Sequence, residues 1–158
     1  MWKKIRPYVF SVLLALAVGG LSAWITGDNM SIYDRINKPA PAPPGIVFPI
    51  VWGILYLLMG ISAACIYVHR EREPALVRQG LTVYAISLAV NFLWSPIFFR
   101  AEAFLTAFVW LGLLWVLVLR TVILYRRVCP TAAYLQVPYL IWVTFAGYLN
   151  FSIWFLNR

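Results

Sequence analysis

Residues 103–125 read AFLTAFVWLGLLWVLVLRTVILY, a run with one charged residue, Arg120. A hydrocarbon core of about 30 Å needs roughly 20 apolar residues per helix, and this stretch supplies them. The pattern repeats on both sides of it. Comparable runs lie at Tyr8 to Ile25, about Ile46 to Val68, about Ala75 to Phe99, and Thr131 to Leu156. No other stretch is long enough. A β-barrel would need shorter segments of alternating polarity. The expected fold is an all-α integral membrane protein, a bundle of five transmembrane helices (8–25, 46–68, 75–99, 103–125, 131–156) forming one membrane domain over 1–158.

Composition excludes the alternatives. Hydrophobic residues make up 63% of the 158 and charged residues 11%, against roughly half and a quarter in soluble domains. So few polar side chains cannot cover a soluble fold. The breaks between runs are chemically distinct. Residues 26–45 form the one long connection, with Asp28, Asn29, Asp34, Arg35 and Lys38 followed by Pro39-Ala-Pro41-Ala-Pro43-Pro44-Gly45. Proline fixes φ and removes donors, so this end of the loop is expected to be extended and stiff. His69 to Pro74 is charged, Arg100 to Glu102 only turns a hairpin, and Arg126 to Pro130 ends in a proline suited to a first helical turn.

The net charge of +8 sits at the ends of apolar runs. With the N-terminus inside, Lys3, Lys4, Arg6, Arg70, Arg72, Arg78, Arg120, Arg126 and Arg127 are inside, and Arg35, Lys38, Arg100 and Arg158 outside. The positive-inside rule favours this topology, with the long loop and the C-terminus outside. Helical spans point to a bacterial inner membrane, since barrels are the outer-membrane solution. Lys3-Lys4 with small residues near Ser22-Ala23 also resembles a signal peptide, although an uncleaved first helix serves the same targeting role. No basic stripe or stacking platform for nucleic acid is present.

The inventory for enzyme chemistry is sparse. His69 is the single histidine, all five acids fall in loops or at their edges, and no P-loop, dinucleotide fingerprint, metal cluster or nucleophile elbow occurs. Cys65 and Cys129 read as buried or membrane-edge thiols. No metal and no cofactor is expected. Aromatic residues are abundant: 8 Trp, 9 Tyr and 10 Phe. Trp2, Tyr8, Tyr125, Tyr134 and Trp154 suit an interfacial belt. Others recur at helical spacing: Phe48, Trp52, Tyr56 and Met59 in the second run; Tyr84, Ser87, Asn91, Trp94, Ser95 and Phe98 in the third; Pro138, Trp142, Phe145, Ala146 and Leu149 in the fifth. Such stripes are usually packing. Asn91 argues for more, because an amide in mid-membrane must find a hydrogen bond and therefore faces the bundle. Stacking faces, one amide and hydroxyls without charge suit a large, flat, mostly apolar ligand. Small residues at Ala15/Gly19/Ala23, Gly60/Ala64 and Ala85/Ala89 read as close helix contacts.

These residues carry a family resemblance. Tyr33-Asp34, Lys38-Pro39 and Pro43-Pro44 in the loop, then Phe48-Pro49, Trp52 and Leu55-Tyr56, then Asn91-Phe92-Leu93-Trp94-Ser95-Pro96 with Phe98-Phe99, and Val137-Pro138-Tyr139-Leu140-Ile141-Trp142 with Ala146 and Leu149-Asn150-Phe151 resemble the TspO, or translocator protein, family of tryptophan-rich sensory proteins. The resemblance implies a homodimeric five-helix receptor, sensor or translocator that binds porphyrins such as protoporphyrin IX. In some relatives cholesterol and benzodiazepine-type drugs also bind. It implies a ligand pocket of Tyr33, Pro43, Phe48, Trp52, Tyr56, Asn91, Trp94, Ser95, Trp142, Ala146 and Leu149. In some bacterial relatives porphyrin is degraded in light and oxygen, a role that would fall on Trp52 and Trp142. A membrane scaffold or regulator is the remaining reading. The loop here has Ile32, Pro41 and Gly45-Ile46 where the family often carries tryptophans, so its lid is less aromatic. After Tyr148 the first basic residue is Arg158, too distant for the cholesterol pattern, and specific cholesterol binding is not expected.

Overall fold

The computed structural model of the chain describes residues 2–27 and 31–158. Asp28 and Asn29, read above as loop residues, lie outside the described residues, as do the side chains of Trp2, Lys3 and Lys4. The helices are α1 (Trp2–Thr26), α2 (Ile32–Arg35), α3 (Val47–Tyr67), α4 (Pro74–Ser95), α5 (Phe104–Val128) and α6 (Pro130–Leu156). All but α2 are long and apolar enough to cross a membrane.

Local chemistry sets the ends. Pro74 and Pro130 open α4 and α6, where a missing N–H is no loss. Pro96 closes α4 and starts a five-residue π-helical turn, Pro96–Arg100, marked by Ala101 N–H donating to the Pro96 carbonyl at 3.0 Å. The third span is thus not one regular helix to Phe99 as expected. Its wider last turn carries Phe98 and Phe99 inward, where both are buried. Two other expectations also need correction. The first helix extends back to Trp2, and the long loop holds a helical turn, α2, before its proline-rich half.

The spans close into a ring in the order α1, α3, α6, α5, α4 and back to α1. Small residues permit the closest approaches. A Cβ at Gly60 would strike the Val12 backbone, and one at Gly19 the Tyr56 ring, so α1 lies directly against α3. Ala85 and Ala89, in contrast, face outward. The lipid-facing surface is apolar, with Trp24, Phe10, Val109 and Ile141 among its most exposed side chains. Tyr125 does not join an interfacial belt: it is fully buried against Gly80.

Polar groups inside the bundle tie helices together, as a solvent without donors requires. Ser62 Oγ donates to the Ala132 carbonyl at 2.7 Å, joining α3 to α6. Trp94 Nε1 donates to Asn150 Oδ1 at 3.3 Å, and Asn150 Nδ2 to the Phe104 carbonyl at 2.8 Å. That relay links α4, α6 and the start of α5 at the end of the bundle where the long loop lies.

Candidate functional site

Phe48, Trp52 and Tyr56 descend one face of α3 at i, i+4 and i+8, a spacing that stacks side chains. Tyr56 and Trp52 rings sit 5.6 Å apart. Opposite, α4 presents Asn91, Trp94 and Ser95. Asn91 is buried and its Nδ2 donates to the Tyr56 hydroxyl at 2.9 Å. α1 supplies the third wall through Gly19, Ser22, Ala23 and Thr26. Together these enclose a cleft of about 90 Å³, which also touches Pro49 and Phe99.

A second, smaller lobe of about 20 Å³ lies among Tyr33, Phe98, Ala146, Leu149, Asn150 and Ile153. Phe48, Trp94 and Phe99 border both lobes and form the partition between them. Trp94 stacks on Phe98 at 5.2 Å and meets Phe99 edge-on at 6.0 Å. The π-helical turn is what brings all three rings together.

The loop closes over the smaller lobe. Tyr33 is buried, meets Phe48 edge-on at 5.1 Å, and donates through its hydroxyl to the Pro43 carbonyl at 2.9 Å. Burial, aided by neighbouring Asp34, holds the Tyr33 hydroxyl above its ordinary pKa, so it remains a donor. Pro43 therefore anchors the lid and does not line either lobe. Asn157, just past α6, receives the Asn37 backbone N–H on Oδ1 at 2.9 Å. It returns a bond from Nδ2 to the Asn37 carbonyl at 2.9 Å.

Trp142 does not line either lobe. Its ring reaches the site through Phe48, at 5.9 Å, and its buried Nε1–H has no partner among the described residues. Tyr139, one turn away on α6, packs on Trp52 at 6.0 Å. The α6 face is centred on Tyr139, Trp142, Ala146 and Leu149, whereas Pro138, placed on it by spacing, is exposed. The remaining sequence candidates, Tyr33, Phe48, Trp52, Tyr56, Asn91, Trp94, Ser95, Ala146 and Leu149, are brought together. Sequence reasoning set Phe98 on the Asn91 stripe without assigning it to the pocket, and it missed Phe99, Asn150, Ile153 and the α1 wall, whose small residues match a packing pattern.

All lining side chains are uncharged, and no group of three or more metal-ligating residues occurs among the described residues. Chemically the site can stack, exclude water and offer a few neutral hydrogen bonds.

The model of the TspO/MBR family matches residues 11–155. Among curated relatives, "Protein CrtK" of Rhodobacter capsulatus is 44% identical over 79% of this chain and 78% of its own length. "Tryptophan-rich protein TspO" of Chlorobaculum tepidum is 37% identical over 99% of both chains. "Translocator protein" of Homo sapiens is 34% identical over 97% of this chain and 89% of its own. With its five apolar spans and a family match across nearly the whole sequence, the chain belongs to the TspO/MBR family of integral membrane proteins.

Proposed function

We propose that this protein binds a flat, mostly apolar tetrapyrrole of the protoporphyrin IX type and serves as a membrane receptor, sensor or translocator for it. The observation that carries the reading is the neutral aromatic cleft with the Asn91–Tyr56 pair in its wall, beside a second lobe that Tyr33 covers. A macrocycle gains from ring faces on both sides, and an amide fixes its orientation at little desolvation cost. Pockets for ligands of this size usually span about 300–1,000 Å³. Binding therefore requires the partition of Phe48, Trp94 and Phe99 to open and merge the two lobes while the lid lifts.

A second reading is light- and oxygen-dependent porphyrin breakdown. It is supported by Trp52 in the cleft wall and Trp142 one ring behind it, since indoles are oxidisable and stack on macrocycles. The protein would position the substrate, and the excited porphyrin with oxygen would react. A homodimer in a bacterial inner membrane, with the N-terminus inside and the lid outside, completes the proposal.

The test is illumination of the preformed complex. Loss of a defined product in the Trp52→Phe/Trp142→Phe double variant, with dark binding retained, supports breakdown by the protein. Equal breakdown by free tryptophan in the same detergent leaves the binder alone.

A further inference from the structure

We propose that Lys38, with Arg35 three residues earlier in the same lid, is the anion-recognising edge of the smaller lobe and holds a carboxylate arm of the ligand at the lid. The inference rests on the tetrapyrrole reading and adds the requirement that the ligand be an acid.

Both lobes are lined by uncharged side chains. A carboxylate drawn among them would be buried with no cationic partner, the least favourable arrangement a bundle core offers. Acidic arms on a flat ligand must therefore emerge where cations stand. The lid supplies them. Lys38 Nζ lies 4.5 Å from the centre of the Tyr33 ring, and that ring closes the smaller lobe beside Phe48. Among the described residues the one ion pair is Arg70–Glu71, outside the lid. Asp34, the nearest acid in sequence, makes no ion pair with Arg35 or Lys38. Both cations are exposed. Among the described residues Lys38 is thus held by an aromatic face, a weak partner at an exposed site, from which it can turn to a carboxylate.

Its position is also fixed in advance. The neighbouring backbone, at Asn37, is gripped by both polar atoms of the Asn157 amide, and the Tyr33 hydroxyl is tied to Pro43. An anchored backbone lowers the ordering cost of placing a long side chain at the ligand. The site then has three parts: an aromatic slot for the macrocycle, a neutral hydrogen-bonding wall, and a cationic lip for its acidic edge.

The experiment compares protoporphyrin IX with its dimethyl ester, which has the same macrocycle and no carboxylates. Both are titrated in the dark into protein held in nanodiscs of zwitterionic phosphatidylcholine. Wild type, Lys38→Gln, Lys38→Arg and Arg35→Gln/Lys38→Gln are compared at low and high salt. We expect Lys38→Gln to weaken the diacid about fivefold, the scale of one exposed ion pair. The double variant should weaken it further and Lys38→Arg should restore it. High salt should reproduce part of the loss. The ester should bind all four proteins alike. Equal losses for acid and ester, or no loss for the acid, overturn the proposal while leaving the pocket standing. A wild type that saturates with neither porphyrin removes the tetrapyrrole reading and the cationic lip with it.

Discussion

Asn91 on α4 donates to the Tyr56 hydroxyl on α3 at 2.9 Å, and both side chains are buried in the wall of the cleft. Deleting one partner strands the other. Tyr56→Phe and Asn91→Leu should each destabilise the bundle by about 1–3 kcal/mol, the penalty for an orphaned buried polar group. The double variant should cost less than their sum, since it strands neither. Thermal unfolding in a fixed detergent measures this cycle. Strictly additive losses would show that the pair does not act as one unit.

Close approach of α1 to α3 depends on Gly60. A methyl group there meets the Val12 backbone, which cannot move as a side chain can. Gly60→Ala should therefore destabilise by about 1–3 kcal/mol through overpacking. Gly20→Ala, on the same helix as Val12 but with open space around it, should be neutral or slightly stabilising. Equal melting temperatures for the two variants would contradict the α1–α3 packing.

The lid latch makes an asymmetric prediction. Asn37 contributes only its backbone, whereas Asn157 contributes its side chain. Asn157→Ala should loosen residues 31–46, increase their cleavage by an added protease, and speed both binding and release of porphyrin. Asn37→Ala should do none of these. A lid equally sensitive to both substitutions would show that the latch is not what holds it.

Tyr33 joins the lid to the cleft. Tyr33→Phe removes the bond to the Pro43 carbonyl but keeps the ring on Phe48. It should raise the porphyrin off-rate while leaving the melting temperature within about 1 kcal/mol of wild type, the usual net worth of one hydrogen bond. Stopped-flow quenching reads the rate, and an unchanged value would mean that the loop is held by its other contacts.

Five spans were legible because length and hydropathy decide them, and neither depends on tertiary contacts. Their ends were less so. Lys3 and Lys4 argue against an early start, yet hydrogen bonding carries α1 back to Trp2. Nothing in Pro96 distinguishes a helix stop from the π-helical turn it begins, so the inward swing of Phe99 beside Phe98 was hidden. The stripes on α3 and α4 were readable because large aromatic residues recur at helical spacing and Asn91 has an obligatory partner. The α1 wall was not, because Gly19 and Ala23 line a cavity with the same small side chains that pack helices. Trp142 shows the limit of spacing: its register is right, but Phe48 stands between it and the cleft.

The most direct test of the central claim is a dark titration of the purified protein with protoporphyrin IX, followed by tryptophan quenching. An unrelated membrane protein of similar tryptophan content serves as the control. Saturation at one site per chain, weakened by Asn91→Ala and retained in Trp142→Phe, is the predicted result. Linear quenching equal to that of the control would mean that porphyrin only partitions into the detergent, and that the aromatic faces are packing.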